Sequence, residues 1–535
     1  MKRAIVLAAL LAAAPAAAGA RSTLTTQVPA EVAQQTAMPV GRLAPTQLLE
    51  LSFSLPNRDD AGLQALLRDL YDPANPLYRH YLSVAEFTAR FGPDAADYAA
   101  VLDFAAKNNF HLRRTYANRR VIDVSAAVAD IERAFHIEML TYRLPGQTRV
   151  FYAPDSEPSP DLETPLLHIS GLDNASPPVS HLVRSGASKP AQAGTGSGPD
   201  GNFIGSDVRA AYYGGTTLTG AGQSVGLLEY DGYNLRDVQN YFKKTQQSPS
   251  VPLIGVSLNN ASLSCTGSCD DSEQVLDIEE AVSMAPGLQE LVVYVGHTDV
   301  SILNQMAVDD NCKQLSSSWG WKPDPDTLDP IFEEFAAQGQ SFVDATGDYG
   351  FLLKRGAVWP GDDQYVTGVG GTDLATQGPG GPWSAETGWH FSGGGPSPDG
   401  ITIPAYQVPF INSLNNGSPA LRNVPDIAGD ADTDNFSCYD GGCNTGNGGT
   451  SYAAPLWAGF LALTNQQAAL SGQPPVGFLN PTLYSIGAAR GYSTDFHDEV
   501  TGFNGAYEAV PGFDLVTGFG SPTGQTLIEA LIRGK

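Results

Sequence analysis

The best candidate for a nucleophile is Ser451, in the segment GGTSYAAPLWAGFLALTNQQ. Two glycines and a threonine precede this serine, and an apolar run typical of a helix follows it at once. A serine that begins a helix can present its hydroxyl, and its own backbone N–H lies at the positive helix end, where it can help to hold an oxyanion. The alternative is an ordinary N-cap, which is the more frequent role of a lone serine.

A nucleophilic serine needs a base, and the sequence offers carboxyls more readily than histidine. The histidines that follow residue 190 lack the His-Gly-Thr setting of a catalytic histidine: His297, His390 and His497. Instead, DSEQVLDIEEAVSMAPG places Glu273 and Asp277 four residues apart, so both carboxyls project from one helix face. Close like charges raise each other's proton affinity, and one can then act as general base while the other orients it at acidic pH. A solvated acidic face is the alternative.

A third acidic residue, Asp348, follows an apolar strand in the segment SFVDATGDYG. Strand ends are where α/β folds commonly place catalytic groups. When protonated, a carboxyl here can donate a hydrogen bond in an oxyanion hole, which again suits acidic conditions. A turn aspartate is the alternative, and Asp344 is a weaker candidate for the same role.

An α/β fold is needed to position these residues, and the sequence predicts one. Beyond residue 203, four apolar runs alternate with helical segments, as in a buried parallel sheet: SVGLLEY, LQELVVYV, KQLSSSW and QSFVDATG. Residues 21–184 predict a smaller α/β domain, with a strand in TQLLELSFSLP and an amphipathic helix in DDAGLQALLRDLYDP. The intervening residues 185–203 are rich in Gly, Ser, Pro and Ala, which predicts a linker that contains a cleavage site.

The first 20 residues have the pattern of a secretory signal peptide. Lys2 and Arg3 precede an apolar run, and small residues stand before a cut after Ala20. That run is too short to span a bilayer, and no later stretch is long enough. We therefore expect a soluble, secreted, extracellular product with no membrane partner.

The formal net charge of −27 is concentrated in the C-terminal part, where residues 191–535 contain 12 Lys or Arg and 38 Asp or Glu. Once its carboxylates are protonated, this part would carry little positive charge, so acid would cause little self-repulsion. Solubility alone could also explain the acidity. Nucleic acid is not expected as a partner, because phosphate binding needs clustered Lys and Arg.

The cysteine spacing predicts two short loop disulfides, Cys265–Cys269 and Cys438–Cys443, in an oxidising compartment. Zinc is the alternative for such pairs, but no histidine accompanies either at finger-like spacing. Cys312 is left over and is expected to be buried.

The catalytic candidates and their surroundings resemble the sedolisins, or serine-carboxyl peptidases, and kumamolisin-like members in particular. The family pattern is found in EQVLDIE, ATGDYG and GGTSYAAP, and also in SSSWG, ETGWHFSGGGPS, VPDIAGDAD and FLNPTLY. The resemblance implies that Glu273 is the general base, that Asp277 supports it, that Ser451 attacks the scissile carbonyl and that Asp348 serves the oxyanion hole. It also suggests that Glu229 and Trp319 line or extend this network, although Trp319 could equally be core.

The resemblance extends upstream of the linker. LYDPANPLYRHYLSVAEFTARFGP and VADIERAFHIEM look like the family's activation propeptide, which implies a domain that assists folding and blocks the active site until it is cleaved.

A calcium site is expected near the C-terminus. FHDEVTGFNG and AVPGFDLVTGFGSP place Asp498 and Asp514 in Gly-rich loops whose carbonyls can converge on a hard cation, and metal-free turns are the alternative. The family resemblance implies one calcium ion per catalytic domain, held by these carboxylates and by the main-chain oxygens of Glu499, Val510 and Gly512.

Taken together, we expect a subtilisin-like α/β catalytic domain over residues 204–535, with a mainly parallel central sheet. The expected activity is that of a monomeric, acid-acting, autocatalytically activated endopeptidase on protein and peptide substrates, with its own propeptide as inhibitor. The alternatives are a tripeptidyl-peptidase of the same family and an inactive surface or binding protein. An aspartic peptidase is disfavoured, because the chain contains neither Asp-Thr-Gly nor Asp-Ser-Gly.

Overall fold

The computed structural model describes residues 23–184, 195–266, 269–354 and 357–534. The predicted signal peptide and the first ten residues of the predicted linker lie outside the described residues. We call residues 23–178 the N-terminal unit, residues 179–184 the crossing segment and residues 195–534 the C-terminal unit. No helix in these described ranges is both long enough and apolar enough to cross a membrane.

The N-terminal unit contains two antiparallel sheets with strand orders β1-β5-β6 and β3-β4-β2-β7. Its strands are β1 (Met38–Arg42), β2 (Leu48–Ser54), β3 (His111–Thr115), β4 (Val121–Ala127), β5 (Met139–Arg143), β6 (Val150–Pro154) and β7 (His168–Ser170). Its helices are α1 (Ala30–Ala33), α2 (Asp60–Leu70), α3 (Val84–Arg90), α4 (Ala95–Lys107) and α5 (Val128–Phe135). The strand and the amphipathic helix predicted from the sequence are therefore confirmed as β2 and α2.

The C-terminal unit is built on one eight-stranded sheet of order β10-β11-β9-β12-β14-β15-β16, in which β19 also pairs with β15. The crossing segment contributes β8 (Val179–Ser180), and the strands that follow are β9 (Ser224–Glu229), β10 (Leu253–Ser257), β11 (Glu290–Val295), β12 (Gln314–Ser317), β13 (Trp319–Gly320), β14 (Ser341–Ala345), β15 (Thr367–Thr376), β16 (Trp383–Gly388), β17 (Gly395–Pro396), β18 (Asn423–Val424), β19 (Ile427–Asp430), β20 (Asn435–Tyr439), β21 (Gly442–Asn447), β22 (Phe496–His497) and β23 (Ser521–Pro522).

Helices cover this sheet, whose pairings are parallel except for the one between β15 and β16. They are α6 (Gly205–Tyr212), α7 (Leu235–Lys244), α8 (Ser272–Met284), α9 (Asp299–Asp309), α10 (Pro325–Gln338), α11 (Thr450–Leu470), α12 (Asn480–Gly487), α13 (Tyr492–Asp495) and α14 (Gln525–Arg533). Short 3-10 turns occur at Pro199–Gly201 and Val408–Phe410. The predicted mainly parallel α/β sheet is confirmed, and the four apolar runs form β9, β11, β12 and β14.

The two units share a packed boundary. Leucines at spacings of three and four line one face of α2, and this face packs against α10 rather than against the unit's own sheet core. A buried ion pair crosses the same boundary, where Arg120 Nε lies 3.3 Å from Glu334 Oε2. The N-terminal unit is therefore fixed to the C-terminal unit by apolar packing and by charge.

Both predicted disulfides are present, Cys265–Cys269 and Cys438–Cys443, and the second links β20 to β21. Cys312 is a free, buried thiol, as expected.

Candidate active site

Helix α8 carries Glu273 and Asp277 one turn apart, as the spacing predicts. The helix is buried along its whole length, because it packs against α11, α6, α7 and β20 and touches the central sheet at β9. Glu273 is 2% exposed and Asp277 is fully buried. The alternative of a solvated acidic face is therefore wrong.

Glu273 faces two hydroxyls. The Ser180 hydroxyl of the crossing segment donates a hydrogen bond to Glu273 Oε2, and Ser451 lies close enough to contribute a second interaction that lowers the pKa of this carboxyl. Burial outweighs both interactions and, with a smaller contribution from the charge of Asp348, raises the pKa of Glu273 to about 8.

Behind Glu273, two further carboxyls share a closed environment. The Ser318 hydroxyl donates to Asp277 Oδ1 at 2.8 Å, and Trp319 Nε1 donates to Glu229 Oε2 at 3.0 Å. Burial raises the pKa of both Asp277 and Glu229 well above the usual carboxyl range. The charge of Glu273 raises both further, and that of Glu229 adds to the rise for Asp277, so both carboxyls favour protonation next to Glu273.

Ser451 is the second residue of α11, behind the sharp backbone turn at Gly449. Gly449 has φ +121°, which favours glycine, and a Cβ there would overlap the His181 carbonyl oxygen and lie 2.8 Å from Asp348 Oδ2. The Ser451 hydroxyl is fully buried and makes no hydrogen bond of standard geometry to any described residue. No other described group therefore competes with Glu273 for this hydroxyl.

Asp348 lies just beyond the end of β14 and is fixed by Thr450. The Thr450 backbone N–H and hydroxyl donate to Asp348 Oδ1 at 2.8 and 3.1 Å. Burial raises the pKa of Asp348 to about 7, so the carboxyl is protonated in acid. Its other oxygen and the His181 carbonyl oxygen both lie against Gly449, at the position that a Cβ would fill.

The crossing segment is a part of the site that no sequence pattern indicates. Its strand β8 pairs antiparallel with β13, matching Ser180 with Trp319, and the Ser451 N–H donates to the His181 carbonyl oxygen at 3.4 Å. The sequence marks these residues only by their position just before a predicted linker. Nothing in their composition indicates that they contact Ser451, which lies 270 residues beyond His181.

The histidines of the C-terminal unit are engaged elsewhere. His390 Nδ1 contacts the Phe503 carbonyl oxygen at 2.9 Å, and His497 stacks on Trp383 with ring centres 4.0 Å apart. His297 lines a cavity at the boundary with the N-terminal unit. Among the described residues of this unit, carboxyls rather than imidazoles therefore face Ser451.

The expected calcium ligands gather around one short loop. The Gly512 N–H lies 3.2 and 3.1 Å from the two carboxylate oxygens of Asp498, and the Val510 N–H donates to Asp514 Oδ2 at 2.9 Å. Asp514 is fully buried, and burial raises its pKa to about 7. The Glu499 side chain contacts Ser521 instead. The group of Glu499 that is expected to bind calcium is its main-chain oxygen.

Asp498 and Asp514 both accept hydrogen bonds from backbone N–H groups of this loop. Burial raises the pKa of both carboxyls, and a nearby cation would stabilise their ionised forms. In the part of the chain that the structure describes, no three His, Cys, Asp or Glu side chains cluster in a way that could hold a metal ion. A cation at this loop therefore depends on backbone carbonyls as well as on the two aspartates.

Comparisons with known proteins show which family this chain is similar to. Residues 35–175 match the family model described as the pro-kumamolisin activation domain. Kumamolisin from Bacillus sp. (strain MN-32) is 30% identical over 85% of this chain and 87% of its own length. Sedolisin from Pseudomonas sp. (strain 101) is 29% identical over 92% of this chain and 89% of its own.

A solved structure of Pseudomonas sedolisin, a serine-carboxyl proteinase complexed with two molecules of pseudo-iodotyrostatin, superimposes with a TM-score of 0.53 at 28% identity. It covers 61% of this chain and 96% of the sedolisin chain.

Proposed function

The chain belongs to the sedolisin family of serine-carboxyl peptidases and carries a pro-kumamolisin activation domain, and we propose that it is an acid-acting endopeptidase with Ser451 as nucleophile and Glu273 as general base. The observation that carries this proposal is that Ser451 and Asp348 meet at one carbonyl oxygen. The Ser451 N–H donates to the His181 oxygen, and a Cβ on Gly449 would contact both that oxygen and Asp348 Oδ2. Acyl transfer requires such an arrangement.

In the proposed reaction, Glu273 accepts the Ser451 proton as the hydroxyl attacks the scissile carbonyl carbon. The oxyanion that develops is held by the Ser451 N–H and by protonated Asp348. Asp277 and Glu229 act as positioning residues. In this proposal they share a proton, so Glu273 has a hydrogen-bonded carboxyl group behind it and not a second full negative charge. Glu273 then returns the proton to the leaving amine, and water releases the acyl group.

Acid suits these roles once the cleft is open. Asp348 must be protonated, which its raised pKa favours below about 7. Glu273 must be ionised, and burial is the main cause of its raised pKa in the covered cleft. Departure of the crossing segment admits water and lowers the Glu273 pKa towards the acidic range.

The endopeptidase mode is supported by the course of the chain through the cleft. The crossing segment pairs with β13 through Val179 and Ser180, and the chain continues back through Pro178 and Ser176, which line a boundary cavity with Trp321. If the His181 carbonyl at Ser451 marks the position of a scissile carbonyl, Pro178 is the fourth residue on its N-terminal side, whereas a tripeptidyl-peptidase accommodates three.

The test is a peptide with an acetylated N-terminus and an internal cleavage site, incubated with the matured enzyme at acidic pH. We expect internal cleavage, with the Ser451→Ala variant as inactive control. Release of tripeptides from free N-termini alone, with the acetylated peptide left intact, would establish the tripeptidyl mode. No hydrolysis of either peptide would favour an inactive binding protein.

We also propose that the chain is exported by its N-terminal signal peptide and that one calcium ion binds Asp498 and Asp514 with the main-chain oxygens of Glu499, Val510 and Gly512. The ion would stabilise these loops and would take no part in the reaction.

A further inference from the structure

Arg184, the last residue of the crossing segment, lies in a group of side chains that the C-terminal unit supplies. Its guanidinium donates hydrogen bonds to both carboxylate oxygens of Asp270 and to the Ser272 hydroxyl. Its Nη1 lies 3.9 Å from Asp440 Oδ2, and its Cζ lies 5.2 Å from the centre of the Tyr439 ring. Carboxylates and an aromatic ring are the groups with which proteins recognise arginine.

The two carboxylates have supports that do not involve Arg184. Asp270 accepts hydrogen bonds from the Ser272 N–H at 3.2 Å and from the Ser272 hydroxyl at 2.7 Å, at the start of α8. Asp440 stands at the turn between β20 and β21, and its backbone N–H donates to Asp271 Oδ1 at 2.8 Å. The carboxylates therefore remain in place when the crossing segment leaves.

Both disulfides border this group of side chains. Cys265–Cys269 closes a loop that ends immediately before Asp270, and Cys438–Cys443 closes the turn that carries Tyr439 and Asp440. A disulfide restricts the conformations open to the loop that it closes. The two cross-links therefore limit the movement of the loops that face Arg184.

The group favours positive charge in acid. Partial burial acts to raise the pKa of Asp270, but hydrogen bonds from Arg184 and Ser272 hold the pKa below its usual value. Residues 191–535, which supply the whole group, contain 12 Lys or Arg against 38 Asp or Glu. A cationic side chain is therefore attracted here, and an anionic one is repelled.

The course of the crossing segment relates this group to the nucleophile. The His181 carbonyl oxygen accepts from the Ser451 N–H at 3.4 Å, and the Val183 N–H and carbonyl bond with Gly448 at 2.8 and 2.9 Å. Arg184 is the third residue after the carbonyl that meets Ser451. A substrate bound by strand addition in this register would place the third residue after its scissile bond in the same position.

Resting on the proposed function, we propose that Asp270, Tyr439 and Asp440 form a subsite that selects peptide substrates with a basic residue at the third position after the cleaved bond. Arg184 occupies this subsite in the precursor, and departure of the crossing segment opens it to substrates. Arginine is favoured over lysine, because a guanidinium offers several donors to Asp270 and a planar face to Tyr439, whereas an ammonium acts as a point charge.

The test compares two substrates of the matured enzyme at acidic pH. The cleaved bond of the acetylated peptide is first mapped by mass spectrometry, and the third residue after this bond is then replaced by arginine or by citrulline, its neutral isostere. We expect kcat/KM to be about fivefold higher for the arginine peptide, mainly through KM, because the pair with Asp270 is partly exposed. Equal values for the two peptides, with both cleaved, would overturn the subsite and leave the peptidase proposal standing.

Variants of the two carboxylates assign the preference to this subsite. In the double variant Asp270→Asn/Asp440→Asn, the ratio of kcat/KM for arginine over citrulline should fall to about one. Asparagine keeps an acceptor for the Ser272 N–H, and it tolerates the left-handed backbone of Asp440, whose φ is +52°. Unchanged cleavage of the citrulline peptide shows that the variant is folded. The ratio should stay at the parent value in Glu529→Gln, which removes an exposed carboxylate of α14, and a parent-like ratio in the double variant would contradict the assignment.

Binding separates this inference from the proposed function. If the parent enzyme cleaves neither peptide, the peptidase proposal fails, and the affinities of the two peptides, measured by fluorescence anisotropy with labelled copies, decide the subsite. Binding of the arginine peptide about fivefold more tightly than the citrulline peptide would support it. Equal affinities, or no binding of either peptide, would overturn it.

Discussion

Several carboxyl groups in the N-terminal unit pair with cations at the surface, and Asp123 is a buried exception with a raised pKa. Many carboxyl groups in the C-terminal unit are buried, with raised pKa values that favour protonation. The surface pairs include Arg42–Glu132, Arg58–Asp94, Lys107–Asp103, Arg113–Glu50 and Arg133–Asp130. The buried carboxyls with raised pKa include Glu229, Asp277, Glu279, Glu280 and Asp344.

The difference gives the two units opposite responses to acid. Hydrogen bonds from Arg133 and from the Ser83 backbone hold the pKa of Asp130 and of Glu86 below their usual values, so their contribution to stability is lost as the pH falls. Buried carboxyls with raised pKa contribute stability that is present in acid and is lost as the pH rises. Acid therefore weakens the N-terminal unit and preserves the C-terminal unit, which carries the candidate active site.

The largest expected effect comes from the buried carboxyl that the reaction uses. Glu273→Gln keeps the shape of the side chain but cannot accept the Ser451 proton, so kcat/KM on the acetylated peptide should fall by about 1,000-fold or more. His297→Gln and His390→Gln are matched controls that should retain activity. A fully active Glu273→Gln enzyme would remove the functional reason for the buried carboxyls of α8.

Calcium removal should affect only one unit. Asp514 is a buried carboxyl that is expected to need a cation instead of a proton, so a chelator should lower the Tm of the C-terminal unit by several degrees, equivalent to about 3 kcal/mol at a free ion concentration 100-fold above Kd. Differential scanning calorimetry measures this shift. The Asp498→Asn variant should respond little to chelator, and an unchanged Tm in the parent protein would refute the site.

The smallest expected effect is a change in how readily each unit opens in acid, and it tests the contrast between the two units directly. In the Ser451→Ala precursor, peptide-resolved hydrogen exchange should show the N-terminal unit opening more readily at pH 3.5 than at pH 6.5, after correction for intrinsic rates, and the C-terminal unit opening less readily. The expected free-energy changes are small for the N-terminal unit, because its ion pairs are exposed. The same direction of change in both units would contradict the proposed division.

Local sequence patterns predicted much of the fold and of the candidate site. The spacing of Glu273 and Asp277 placed both on one face of α8, and the apolar run after Ser451 predicted the start of α11. The apolar runs likewise predicted the strands of the sheet, and the leucine spacing predicted α2. Such predictions are possible because the side chains of helices and strands repeat with characteristic periods along the sequence.

The sequence alone determined which residues could do chemistry and which local elements carry them, while the tertiary structure decided their partners. Thr450 orients Asp348 across a separation of 102 residues, Trp319 binds Glu229 across 90, and the His181 carbonyl meets the Ser451 N–H. No periodicity encodes such pairs, because they arise only when the sheet brings distant strand ends and α11 together. The pKa of each carboxyl was also decided by the tertiary structure. The pKa depends on burial, and burial depends on all the segments that close over the side chain.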